Sequence, residues 1–143
     1  MKQFITILIF FGLITSPSFA AKKSFFDEAK ILFEEEKYEE SKFLFQRNIV
    51  YNPKNAASYL YLAKIFNLEE NKTEQEKNIN TTLLLDPKNE EAMYILIDIE
   101  LKRSNFSKAE ELKKDFKIIC TTMCKKLTSI NNRLKEFENK DAS

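Results

Sequence analysis

The sequence predicts an all-α protein made of antiparallel helix pairs that stack as a short solenoid. Three observations carry that prediction. Pro53 and Pro87 stand 34 residues apart within matched surroundings, YNPKN at 51–55 and LDPKN at 85–89, and a fixed period of this size marks a helical repeat. The 143 residues hold one Gly and three Pro, too few chain-breakers for an all-β fold with its many tight turns. Apolar residues recur at steps of three and four over most of the chain, as one face of a helix requires.

The amino end has the plan of a secretory signal. Lys2 gives a positive start, Phe4–Ile14 is an apolar run, Thr15-Ser16-Pro17 breaks it, and Ser18-Phe19-Ala20 is a small-x-small cleavage site. Residues 1–20 are therefore expected to be removed; an uncleaved anchor is the alternative, but the run is shorter than the roughly 17–25 residues a membrane span needs. Cleavage removes one Lys from a chain with 23 basic and 22 acidic residues. The mature domain is then neutral with mixed signs, a poor partner for nucleic acid or anionic lipid, and no membrane insertion is expected of it. The address predicted is secreted or periplasmic.

From residue 21 the elements follow in order. Ser24 can cap a first helix, FFDEAKILFEE, with Phe25, Ala29 and Leu32 on one stripe and Phe26 and Phe33 on another. Tyr38–Tyr51 is a second helix, ended by Asn52-Pro53 because the residue before proline disfavours the helical conformation. Asn55 can cap a third, Ala56–Leu68, and Thr73 a fourth that runs to about Leu85 and stops at Asp86-Pro87. Glu90–Lys102 is a fifth. Phe106, Ala109, Leu112, Phe116 and Ile119 mark a sixth, and Met123, Leu127, Ile130, Leu134 and Phe137 a seventh. The resulting map is a domain over 21–137, with repeats at about 22–55, 56–89 and 90–120, a closing helix at about 122–137, and a disordered tail at 138–143. No isolated pair could bury its apolar face; stacking gives all of them one core.

These residues resemble the tetratricopeptide repeat family. Its pattern of a large apolar residue, an apolar-small pair and a further large residue on the first helix is met by Tyr59, Leu62-Ala63 and Phe66, followed by Gln75, Ile79 and Pro87. The preceding repeat offers Phe25, Glu28-Ala29, Leu32, Tyr38, Ser41, Phe45 and Pro53. The third departs from it, with Met93, Leu96-Ile97 and Glu100, then Phe106 and Ala109, and with Thr121 where proline is expected. The resemblance implies a right-handed solenoid with a C-terminal capping helix, and a concave groove lined by the first helix of each pair. The groove positions it implies are Phe26, Lys30 and Phe33, then Leu60, Lys64 and Asn67, then Tyr94, Asp98 and Leu101. Such a groove suits an extended peptide or a partner helix; the bland alternative is that Phe26, Phe33, Leu60 and Tyr94 are simply packed by neighbouring helices or a second subunit. The carboxylate clamp of some family members is not supported, since its places hold Phe26, Lys30, Tyr61, Glu91 and Ile95.

Catalysis is not expected. The chain has no His, the commonest general base and metal ligand, and no cofactor or metal is expected. Cys120 and Cys124 are spaced C-x-x-x-C, which is neither the C-x-x-C of thiol oxidoreductases nor a zinc set. After a secretory signal, a structural disulfide across the turn before the closing helix is the favoured reading; free thiols, or a redox or metal role, are the alternatives. The function expected is thus a non-catalytic protein-binding module of the bacterial envelope. A thiol-redox-responsive protein and a self-associating structural subunit, a homo-oligomer, are the other readings.

Overall fold

The computed structural model describes residues 24–141, with side chains through Glu136; the expected signal peptide lies outside the described residues. These residues form seven helices and no strand: α1 Phe25–Glu34, α2 Tyr38–Tyr51, α3 Ala56–Leu68, α4 Lys72–Leu85, α5 Glu90–Lys102, α6 Phe106–Ile119 and α7 Lys126–Asp141. They stack as antiparallel pairs, α1 on α2, α3 on α4 and α5 on α6, each pair packed on the next and α7 laid against α5 and α6.

Capping explains most of the boundaries. The side chains of Ser24, Asn55 and Asn89 accept hydrogen bonds from the backbone N–H groups of Asp27, Ser58 and Ala92, satisfying donors that the first helical turn leaves without partners. Helix α4 corrects the sequence reading. Its cap is Asn71, which accepts from Glu74 N–H at 3.2 Å, and Thr73 lies inside the helix. The turn within each pair is built alike: Glu36, Glu70 and Ser104 have φ of 60°, 57° and 60° and stand 34 residues apart. That left-handed residue lets the N–H groups of Lys37, Asn71 and Asn105 reach back to the carbonyls of Leu32, Phe66 and Glu100 at 2.9 Å, closing each first helix as glycine commonly does.

The closing helix is the second correction. It begins at Lys126 rather than near 122, because the chain from Cys120 to Cys124 is a loop held by other partners, and Met123 belongs to that loop. It also continues to Asp141, into the segment expected to be disordered; that segment has no Gly or Pro to stop it.

Two cores result. Between the first two pairs lie Ala29, Phe45, Leu62 and Ile65, with Phe26, Phe33, Tyr38 and Tyr61 against them. A larger, mainly aliphatic core includes Ala63, Ile79, Leu96, Ile97, Ala109, Ile130 and Leu134 around Phe116. Each fully buried large side chain contributes about 1.5–3 kcal/mol of apolar transfer. The small residues Ala29 and Ala63 are buried as expected for close helix approach. Opposite Ala29, Ser41 donates from Oγ to its carbonyl at 2.8 Å. In the third pair Ile97 is a large residue where Ala29 and Ala63 are small, and the position equivalent to Ser41 is Ala109. The charged departure, Glu100, is buried and accepts from Asn105 Nδ2 at 2.7 Å.

Candidate functional site

Helices α1, α3 and α5 stand side by side and present a groove. Five of the expected residues, Phe33, Lys64, Asn67, Tyr94 and Asp98, line one cavity of about 330 Å³ there, joined by Tyr38, Leu68, Gln75, Ile95 and Lys102. A second cavity of about 500 Å³ shares Asn67, Gln75 and Lys102 and continues to Glu70, Lys72, Ile99 and Arg103. The groove thus runs from aromatic side chains to the edge formed by the turns within the pairs.

The other expected residues lie elsewhere. Leu60 and Leu101 are buried in the larger core and do not face the groove. For Leu60, one residue's rotation about the helix axis decides the matter: Leu60 points inward, and its neighbour Tyr61 meets Phe33 edge-on at 5.1 Å and Phe26 at 6.0 Å. Leu101 is enclosed in the core that includes Ile130 and Leu134 of the closing helix. Phe26 is half-buried against Phe45 and Tyr61. Lys30 is exposed and pairs with Glu34 at 3.8 Å. Neither Phe26 nor Lys30 lines that cavity.

The charged groups of the smaller cavity, Lys64, Asp98 and Lys102, are already partnered. Lys64 reaches Glu91 at 2.7 Å and lies 4.8 Å over the Tyr61 ring. Asp98 receives Lys102 at 2.7 Å and Arg133 of the closing helix at 2.6 Å. Burial pushes the Asp98 carboxyl up, but the hydrogen bonds and charges of Lys102 and Arg133 outweigh it and hold the group below its ordinary value. Lys126, also on α7, lies 5.1 Å over Tyr94, whose ring is 6.3 Å from that of Phe116. The closing helix therefore braces Asp98 and Tyr94 of the groove, although none of its described residues lines either cavity. Tyr61, Lys126 and Arg133 were not among the expected site residues. Tyr61 was detectable as the neighbour of an assigned position, whereas Lys126 and Arg133 come from an element beyond the repeats and leave no periodic signal.

Below the groove, Cys120 and Cys124 form a disulfide with Cα atoms 5.2 Å apart. The loop they close wraps a single carboxylate. Glu90, first residue of α5, accepts from the N–H groups of Thr121 at 2.9 Å, Thr122 at 3.1 Å and Met123 at 2.7 Å, and from the Thr121 hydroxyl at 2.5 Å. The Thr121 hydroxyl, with those backbone donors, holds the Glu90 carboxyl down to about 2.

No family model and no curated protein matches this chain. Solved structures do match. The type III secretion translocator chaperone SycD of Yersinia enterocolitica is 14% identical with a TM-score of 0.69, over 83% of this chain and 84% of that one. The same chaperone in complex with a peptide of the translocator YopD gives a TM-score of 0.68 at 14% identity, over 82% and 92%. The second tetratricopeptide domain of human RPAP3, in complex with an HSP70 peptide, is 20% identical with a TM-score of 0.62, over 76% and 92%. At these identities the likeness establishes the fold: the chain is folded as a tetratricopeptide-like helical solenoid.

Proposed function

We propose that this protein is a non-catalytic interaction module of the bacterial envelope that takes an extended peptide or a partner helix in its groove. The observation that carries the proposal is the lining itself: Phe33, Tyr38, Tyr94 and Ile95 face one cavity beside Lys64 and Asp98, whose charges are already balanced. Aromatic and apolar walls with a few fixed polar groups suit apolar anchors on a peptide. These side chains stand on or at the ends of packed helices, so little ordering cost should fall on the protein when it binds. Two solved structures of this fold hold peptides, one of YopD and one of HSP70. The envelope address rests on the leader pattern of residues 1–20.

The test is a cross-linked pull-down of the protein from its own cells, beside a Tyr94→Asp variant and after separation of the cell compartments. Capture of a protein partner from the envelope fraction, abolished in the variant while its melting temperature holds, is the expected outcome. The same partner captured by both forms would place the interface outside the groove, and recovery of the protein with itself alone would favour a self-associating subunit.

A further inference from the structure

The two ends of the solenoid are finished differently. At the C-terminal end, α7 covers the third pair and turns exposed polar residues, among them Ser129, Asn132 and Lys135, to solvent; a stacked repeat array needs such a polar cap. The N-terminal end has no such helix among the described residues. The period of the repeat shows what is bare there. Leu62 and Leu96 occupy one equivalent position, and Asn78 and Leu112 another, and all four are buried in the inner repeats. Their counterparts in the first pair are Glu28, which is exposed, and Leu44, which is only half-buried. Beside them Phe43 is 60% exposed. Glu28, Leu32, Glu39, Glu40, Phe43 and Leu44 together line an open cavity of about 510 Å³.

We infer that this outer face of the first helix pair is a second docking surface, distinct from the groove, and that it takes a basic amphipathic helix of a partner protein. The shape follows from the fold: the face that is bare here is the one that inner repeats bury against the preceding helix pair, so a helix fits it. The charge selects which helix. Glu39 has a cation, Lys42 at 3.1 Å, and Glu40 feels the charge of Lys37, but among the described residues Glu28 and Glu40 form no ion pair. A helix bringing Lys or Arg beside an apolar stripe satisfies both. A second copy meeting face to face would set the carboxylates of Glu28, Glu39 and Glu40 against their own images, which disfavours self-association through this surface.

The chain has no Trp, so a Trp-bearing peptide reports binding directly by fluorescence. The probe is a synthetic Leu/Lys amphipathic peptide of about 16 residues, long enough to form a helix, beside a Leu/Glu counterpart of the same length. The protein is used in the form its cells hold. The Leu/Lys peptide is expected to bind saturably and more weakly at high salt, and the Leu/Glu peptide not to bind. Phe43→Asp and Glu28→Lys should each weaken binding by roughly tenfold or more; both sites are exposed, so the fold should be kept, with only a small loss of melting temperature for Glu28→Lys, which places a cation in the first turn of α1. Tyr94→Asp, in the groove, should leave it unaltered. Equal binding by the wild type and Phe43→Asp, equal binding of both peptides, or loss of binding with Tyr94→Asp would each overturn the assignment. So would a dimer in sedimentation that Phe43→Asp dissolves, which would give the face to a second copy.

Discussion

After α2 and after α4 the chain turns through Asn52-Pro53 and Asp86-Pro87; after α6 the same place in the repeat holds Thr121, inside a disulfide loop whose N–H groups converge on Glu90. The first two turns are local. Proline has no N–H to continue a helix, and Asn55 or Asn89, two residues after it, caps the next one. The third turn is not local: its geometry depends on a carboxylate more than 30 positions away in sequence, on the helix that the closing element packs against. The cores differ in the same sense. Stacked and edge-on aromatic rings of Phe26, Phe33, Phe45 and Tyr61 join the first two pairs, whereas aliphatic side chains and the Asp98–Arg133 pair join the third to α7. The repeat thus fixes where a turn must come and what direction it must take, and leaves the chemistry that makes it open.

The largest effects should come from emptying either core. Phe45 and Phe116 are fully buried, one in each, and Phe45→Ala and Phe116→Ala should each cost about 3–5 kcal/mol in denaturant unfolding. Because stability in a stacked array is largely a sum over neighbours, the first should release the amides of α1 and α2 in hydrogen exchange, and the second those of α5 to α7. Uniform loss of protection in both variants would show one cooperative unit and break the comparison. A smaller effect is expected from Cys120→Ser with Cys124→Ser. The closed loop is short, so the loss of its constraint is worth about 2 kcal/mol in the chain-entropy model, and the gain in exchange should be confined to α7 and the loop before it. Loosening that reaches α1 would mean that the closing helix supports the whole solenoid.

Much of this fold can be read from the chain. The limits of α2, α3, α5 and α6 follow from proline, asparagine and apolar spacing, each of which acts on near neighbours. What the sequence hides is whatever depends on distant neighbours. Leu60 and Tyr61 differ by one residue's rotation about a helix axis, and only the packing of α1 against α3 decides which of them meets Phe33. Leu101 matches Phe33 and Asn67 in the period, yet it is buried because the third pair, unlike the first two, is followed by a lone closing helix. At Glu36, Glu70 and Ser104 polar residues mark the turns, but the left-handed conformation is hidden, because none of the three is the glycine that would announce it. Nothing in the residue type of Glu90 marks it as the partner of a loop still to come.

That residue also supplies the smallest and most selective test, because in the third turn three consecutive N–H groups donate to its one carboxylate. Its carboxyl titrates at about 2 in the fold against an ordinary 4.5. A depressed carboxylate contributes stability that is complete above the ordinary value and is lost as pH falls through the folded one. The closing turn should therefore hold from neutral pH down to about 4.5 and loosen progressively toward 2. The amide resonances of Thr121, Thr122 and Met123 should move with a midpoint near that lower value, because their N–H groups donate to this carboxylate. Glu90→Gln keeps the shape and one acceptor oxygen but removes the charge. It should abolish the acid-dependent movement and leave the loop already loosened at neutral pH. Asn52 and its neighbours, in a turn closed by Pro53 with no carboxylate acceptor, serve as the internal control. Equal acid sensitivity at both turns, or an unchanged titration of Thr121–Met123 in Glu90→Gln, would mean that the disulfide alone shapes the third turn and that the carboxylate merely rests against it.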